Sequence, residues 1–90
     1  MTTQIAIAWL LEEDWAQWQK VDPELPGYGR WLAKIEALET SVKSKSIQCE
    51  RVVVKPEKFT EWCATNGLKV GRESRSQYAA QILANRRTAH

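Results

Sequence analysis

Residues 51–67 read RVVVKPEKFTEWCATNG, and they carry the signals for a strand, a boundary, a helix and a stop in consecutive order. The three valines at 52–54 are β-branched, stiff at χ1 and suited to a pleated surface, so the segment from about Ile47 to Val54 predicts a strand. Pro56 has the fixed φ that suits the first helical position, where its missing N–H costs nothing. A strand followed directly by a helix is therefore predicted.

The predicted helix has an apolar underside and ends at a glycine. Phe59, Trp62 and Cys63 stand at i, i+3 and i+4, which places them on one helical face. Gly67 follows the helix, and glycine takes the left-handed C′ position at low cost. We interpret Cys63 as a small core hydrophobe on that face and Cys49 as a strand residue.

A similar arrangement recurs 44 residues earlier in the chain. The run IAIAWLL at 5–11 predicts either a strand with alternate residues on one face or the start of a helix, and periodicity alone does not decide between them. The matches at this shift are residues 8–10 with 52–54, Glu13 with Glu57, Trp15 with Phe59, and Trp18 with Trp62. They favour a strand followed by a helix over about 12–21.

One further helix is predicted after each of these two segments. Residues 22–29, DPELPGYG, form a predicted loop, and the helix after it starts at Tyr28 or Arg30. Its apolar residues are Trp31, Leu32, Ile35, Leu38 and Val42. The last helix is predicted over about 74–87, with Ser74 as its N-cap. Its apolar stripe consists of Tyr78, Ala79, Ile82 and Leu83.

These elements predict a single helix-rich α/β (α+β) domain over residues 1–90, in the order β-α-α-β-α-α. The two units, 5–44 and 47–87, arise either from an internal duplication or from a chance recurrence of the amphipathic pattern. We expect a two-stranded sheet in the middle of four helices. Both outer edges of such a sheet are open unless helices or a second copy of the protein cover them, so self-association through an edge is expected to be feasible.

The stretch VVVKPEKFTEWCATNGL is followed by an Arg-containing link and a Tyr-Ala-Ala helix. Together they are similar to short uncharacterised bacterial and phage- or plasmid-type proteins in which an EEDW-type opening recurs upstream. The resemblance covers about residues 9–83. It implies a bacterial, soluble, single-domain protein, and it implies neither an activity nor site residues.

Catalytic, metal-binding and membrane-spanning patterns are missing from the sequence. His90 is the only histidine and lies at the terminus, and one histidine with two cysteines does not match zinc-ligand spacing. The four glycines are not spaced as a phosphate-binding loop. The longest apolar run, 5–11, is far shorter than the roughly 20 residues that span a bilayer. We therefore expect a cytoplasmic protein with no enzymatic activity, no cofactor, no metal and no membrane partner.

Charge is distributed unevenly along the chain. Residues 1–27 carry one lysine against five acidic residues, whereas 69–90 carry five basic residues against one acidic residue. Such complementary halves are suited to self-association or to docking a charged protein. Unless all five tryptophans are in the core, Trp9 and Trp31 are the candidate interface anchors.

Protein binding is thus the first functional hypothesis, and nucleic-acid binding by the basic C-terminal helix is the alternative. The candidate residues for that alternative are Lys69, Arg72, Arg75, Arg86 and Arg87.

Overall fold

The order of strands and helices follows the predicted pattern. The computed structural model describes residues 4–88, with side chains up to residue 86. This part of the chain contains strands β1 (Gln4–Trp9) and β2 (Gln48–Val53), helices α1 (Trp15–Val21), α2 (Tyr28–Lys43), α3 (Pro56–Asn66) and α4 (Arg72–Thr88), and a 3-10 turn at Glu12–Asp14. The predicted β-α-α-β-α-α order is confirmed, and the first segment is a strand rather than the start of a helix.

Helix α3 ends at Gly67, as the sequence predicts. Gly67 has a φ of 64°, in the left-handed region. Its N–H donates to the Ala64 carbonyl, and the Leu68 N–H donates to the Cys63 carbonyl at 2.9 Å. This pair of bonds is the Schellman arrangement, which satisfies carbonyls that the last turn of a helix leaves unpaired. The chain leaves α3 here and turns toward α4.

β1 and β2 pair in parallel, in a register that equals the shift seen in the sequence. Each residue of β1 lies beside the residue 44 positions later, from Gln4 with Gln48 to Trp9 with Val53. Register partners in a parallel pair point their side chains to the same face of the sheet. Equivalent positions of the two units therefore lie side by side.

Helices cover the two faces of the sheet unequally. Trp9 lies 5.5 Å from Trp31, centroid to centroid, so α2 is on the face that carries Ile5, Ile7 and Trp9. α2 packs mainly against β2, whereas α4 packs mainly against β1 on the opposite face. The main core forms on that opposite side, where Leu10, Val52 and Val54 pack with residues of α1, α3 and α4. Its fully buried large side chains include Trp18, Phe59, Leu10, Val52 and Val54.

The predicted apolar stripe of α2 is wrong at one position. Leu38 is 41% exposed, while the adjacent Glu39 is only 6% exposed. Glu39 is buried because both of its carboxylate oxygens accept hydrogen bonds from Arg51 on β2, at 2.8 and 2.9 Å. The Arg51 guanidinium also stacks on the Trp9 ring, 3.9 Å from its centroid. These hydrogen bonds lower the pKa of Glu39 and raise that of Arg51.

The predicted start of α4 is also wrong. The helix begins at Arg72, so Ser74 is its third residue rather than its N-cap. The Ser74 hydroxyl accepts a hydrogen bond from the Gly71 N–H at 3.0 Å and lies 2.7 Å from the Lys69 carbonyl, to which it can donate. A third residue that reaches back in this way satisfies a free N–H, as in a capping box. Ser74 thus stabilises the helix start from inside the first turn.

We expect Glu39→Gln to destabilise the protein at neutral pH, because the Glu39 side chain loses its charge-assisted hydrogen bonds to Arg51. A carboxyl whose pKa is lowered on folding contributes stability above its ordinary value of 4.5, and that stability is lost as pH falls through the folded-state value. Urea unfolding across the acid range should therefore show the two proteins converging at low pH. Glu61→Gln, at an exposed position on α3, is the matched control, and a gap that persisted at low pH would contradict the assignment.

Two buried indoles permit a second comparison. The Trp15 Nε1–H donates to the Pro26 carbonyl at 3.1 Å, whereas the buried Trp18 Nε1–H has no hydrogen-bond partner among the described residues. An unsatisfied buried donor costs roughly 1 to 3 kcal/mol. Trp18→Phe, measured by thermal or urea unfolding, should therefore cost less stability than Trp15→Phe, and the reverse order would show that Trp18 has a partner.

Candidate binding groove

The outer edge of β1 forms the floor of a groove. The Val54 N–H donates to the Trp9 carbonyl at 3.0 Å, so Ile5, Ile7 and Trp9 direct their backbone groups toward β2. Hydrogen-bonding residues alternate along a strand of a parallel pair, and Ala6 and Ala8 therefore direct their N–H and C=O groups to the other side. Within residues 4–88 the sheet has two strands, and none lies on that side of β1. These backbone groups face the groove.

α2 and the start of α4 form the two walls. The groove has a volume of about 820 Å³ and follows Ile5–Ala8. On the α2 side the lining is largely apolar, with Trp31, Ile35 and Leu38, and on the α4 side it is small or basic, with Gly71, Arg72 and Ser76. The loop between α1 and α2 completes the lining with Leu25 and Pro26. An elongated space thus runs beside an open strand edge.

The groove exists because α2 leans toward β2. α2 packs mainly on β2 and reaches β1 through Trp31, which contacts Trp9, while Ile7 on the same face is only 3% exposed. The space left open therefore lies beside the outer edge of β1. Leu38 projects from α2 into this space, which explains why it is exposed at a position where the sequence pattern predicts an apolar contact. Leu38, which the sequence pattern places in the apolar stripe, therefore lines the groove instead.

A second, smaller hollow of about 300 Å³ continues the same edge toward the start of β1. It is lined by Gln4, Ile5, Ala6, Ala80, Leu83 and Ala84. Along this flank of α4 the exposed residues Ser76, Ala80 and Ala84 are small and stand four positions apart, so they share one side of the helix. Along both hollows, this flank of α4 therefore carries short side chains.

Charges in the groove nearly cancel. Arg75 and Asp22, which line it, form an ion pair at 2.8 Å with side chains only 8% and 12% exposed. Glu24, Lys34 and Arg72 are the remaining charged residues of the lining. A strongly charged ligand is not selected by such a surface.

The candidate nucleic-acid residues are not gathered on one surface. Lys69, Arg72 and Arg86 are exposed, but Arg72 and Arg86 are 14 residues apart on α4, which is about 21 Å along the axis. Arg75 is buried against Asp22 and so is withdrawn from solvent. The side chain of Arg87, like His90, lies outside the described part of the structure.

The candidate protein-interface tryptophans also differ in their surroundings. Trp31 is only 7% exposed and packs against the rings of Trp9, Trp15 and Tyr28. Its expected role as an exposed anchor is therefore corrected, because aromatic packing between α1, α2 and β1 holds it in the core. Trp9 is half-buried under the Arg51 guanidinium.

Among the side chains of residues 4–86, three ion pairs connect the two halves of the chain. Asp14 with Lys55, Asp22 with Arg75, and Glu39 with Arg51 each join a residue of the first unit to one of the second, at 2.7 to 2.8 Å. The hydrogen bond from Lys55 to Asp14 raises the lysine pKa. Part of the charge complementarity predicted for partners is therefore satisfied inside the molecule.

Other kinds of site find no support in residues 4–88. No group of three or more His, Cys, Asp or Glu side chains is placed to hold a metal ion in this part of the chain. Nor does any helix there have the length and apolar character needed to cross a membrane. Cys63 is buried and Cys49 is half-buried, and neither is in a disulfide.

Ala6 and Ala8 are not among the candidate residues predicted from the sequence. The available signal was the alternation in QIAIAW, large on one face and small on the other, in a strand without a charged residue. Which edge of that strand would be open depends on the side on which β2 pairs, and this becomes apparent only in the folded structure.

Comparison with known proteins gives one result. A family model described as "Domain of unknown function (DUF8829)" matches residues 2–90, nearly the whole chain. Neither the curated proteins nor the solved structures include a match.

The buried pair at the groove yields a test of stability. We expect Asp22→Asn to destabilise the protein by roughly 3 kcal/mol, because the buried Arg75 guanidinium loses its counter-charge. Replacing both residues, as Asp22→Leu with Arg75→Met, should recover most of that loss. Urea unfolding of the two variants and the wild type measures these differences in stability. A double variant no more stable than Asp22→Asn would show that Asp22 and Arg75 do not act as an isolated pair.

Proposed function

The chain belongs to the DUF8829 family, whose description names no activity, and we propose that it is a non-enzymatic protein-binding module. It takes an extended segment of a partner protein onto the outer edge of β1, where the segment becomes an additional strand. This function is proposed for a protein of bacterial or mobile-element origin that works in the cytoplasm.

One observation carries the proposal: the backbone donors and acceptors of Ala6 and Ala8 face an open groove instead of another strand. A strand edge of this kind is a template for pairing with another chain. In strand addition the main-chain hydrogen bonds supply affinity, and pockets for alternate side chains supply specificity. The groove contains both elements, because its floor is the strand edge and its walls are side chains.

The shape of the groove suits an extended peptide. The four residues of its floor span roughly 13 Å when extended, and the volume of about 820 Å³ is in the range of binding pockets. A small compact ligand would occupy part of this volume but would not satisfy a row of backbone groups. A short extended segment satisfies the row and occupies the length.

The walls predict the side chains of the bound segment. Residues that point to the α2 side meet Ile35 and Leu38 and should be large and apolar. Residues that point to the α4 side meet Gly71 and Ser76 and should be small. Because the charges of the lining nearly cancel, a segment of low net charge is expected.

The outer edge of β2 lacks these properties. β2 contains Glu50 and Arg51, and Lys55 and Pro56 follow it directly. Charged side chains and proline on an edge strand are common means by which proteins discourage further strand pairing. β1, with the sequence QIAIAW, contains neither. The β1 edge therefore lacks the features that discourage strand pairing at the β2 edge.

The alternative of nucleic-acid binding has weaker support. Arg75 is committed to Asp22, and about 21 Å of helix separates the exposed Arg72 from Arg86. The helix between them exposes Glu73, which would repel phosphate. The basic residues are more simply explained as a solvated helix surface.

Selection from a library of unstructured peptides, followed by amide exchange, tests the proposal. We expect the selected peptides to alternate large apolar and small residues, and to slow hydrogen exchange at the Ala6 and Ala8 amides, which would gain hydrogen-bond partners. This measurement requires no substitution in the protein. Peptides that bind without protecting these two amides would contradict the proposal.

Proline substitution at each edge provides a matched pair of variants. Ala8→Pro removes an N–H that points into the groove, and should weaken peptide binding by about tenfold or more. Val53→Pro removes an N–H that points outward from β2, and should leave peptide affinity unchanged. Circular dichroism would confirm that both variants fold. Equal effects of the two prolines, or DNA binding that is lost in Arg72→Ala without any peptide binding, would overturn the proposal.

A further inference from the structure

We infer that the segment held at this edge is β1 of a second copy of the same chain, paired antiparallel to give a four-stranded sheet in the order β2-β1-β1-β2. The inference rests on the proposed function, since it requires that the β1 edge accept a strand. It goes further by naming the partner. Three features of the described residues carry it.

The first feature is the side-chain pattern of β1 itself. The walls require large apolar residues on the α2 side and small ones on the α4 side. β1 has Ile5 and Ile7 on the first side and Ala6 and Ala8 on the second. A two-fold axis perpendicular to the sheet places the same face of both copies on the same side. A second β1 therefore presents large side chains to the α2 side and small ones to the α4 side, as the groove requires.

The second feature is the α4 flank. A second copy would bring its own α4 toward this one on the same face of the sheet. Helices packed side by side have axes 8 to 10 Å apart, and the shorter distances require small side chains. The exposed Ser76, Ala80 and Ala84 provide such a surface along the edge. A free peptide would occupy the groove without requiring short side chains on this flank of α4.

The third feature is the balance of charge and apolar exposure. β1 has no charged residue, and the charges of the groove lining nearly cancel, so neither surface repels its own copy. On the other face of the sheet, the 41% exposed Leu38 lies where a second α2 would approach. The α2 sides of the two copies would together cover apolar surface that one copy leaves in water.

The geometry specifies a register. Ala6 and Ala8 are the residues with outward backbone groups, so Ala6 of one copy exchanges hydrogen bonds with Ala8 of the other. Ile7 then lies on the two-fold axis opposite the same residue of the second copy. This is a position without direct hydrogen bonds, where Cα atoms approach to about 4.5 Å. Large side chains lie opposite large ones, and alanine lies opposite alanine.

Sedimentation equilibrium of the full chain over about a hundredfold range of concentration tests the inference. We expect a shift from the monomer mass of 10.3 kDa to twice that mass. In a mixture of labelled and unlabelled protein, an isotope-filtered NMR experiment should show contact between the Ile7 Hα protons of the two copies. A chain that remained monomeric throughout, or a dimer without this contact, would overturn the inference.

Variants separate this inference from the proposed function. Ala80→Lys places a long cation on the α4 flank outside the main groove, and should reduce dimer affinity by about tenfold or more. Ala64→Lys, at an exposed alanine on α3, is the matched control and should dimerise as the wild type does. A dimer unaffected by both Ala80→Lys and Ala8→Pro would overturn the inference.

Peptide binding is then measured on the wild type diluted below its dimer dissociation constant, where the β1 edge is free. If the wild type is monomeric but peptides still protect the Ala6 amide, the inference fails and the proposed function stands. If the wild type dimerises through Ala8 but its diluted monomer binds no peptide, the inference stands and binding of foreign strands fails.

Discussion

The parallel pairing of β1 with β2 is the constraint on which the rest of the structure depends. Parallel strands cannot be joined by a tight turn, so α1 and α2 must form a crossover connection between them. Two strands alone bury too little surface to be stable in water. The sheet therefore needs helices on its faces, and α2, α3 and α4 supply the aromatic and aliphatic side chains that cover it.

Ion pairs strengthen the association of the two halves that this pairing brings together. All three described pairs cross from the first unit to the second. They differ in environment, because the side chains of Asp22 and Arg75 are only 12% and 8% exposed, whereas Arg51 and Lys55 are half-exposed. Breaking a buried pair is costly, but exposed pairs contribute little. The contrast between an acidic first half and a basic second half therefore contributes to holding the protein together, and less charge remains to attract a partner.

Much of the fold could be predicted from local signals. Three valines, Pro56 and Gly67 define β2 and α3 because each acts through its own backbone conformation. The start of α4 and the orientation of Leu38 could not be predicted in this way. Ser74 stabilises the helix start by reaching backward, and Glu39 is buried only because Arg51 lies on the neighbouring strand. The groove depends on the offset of α2 toward β2, a tertiary feature that no local pattern encodes.

That offset also explains why the two edges of the sheet are unequal. Parallel sheets are normally covered on both faces. Arg51 holds Glu39 and so fixes α2 mainly on β2, although Val53 on the same face remains 43% exposed. β1 is covered by α4 on the alanine side and by Trp31 of α2 on the other face, where Ile7 is only 3% exposed. What α2 leaves open is therefore the outer edge of β1, beside which Leu38 projects, and a strand added there would extend the sheet and cover that side chain.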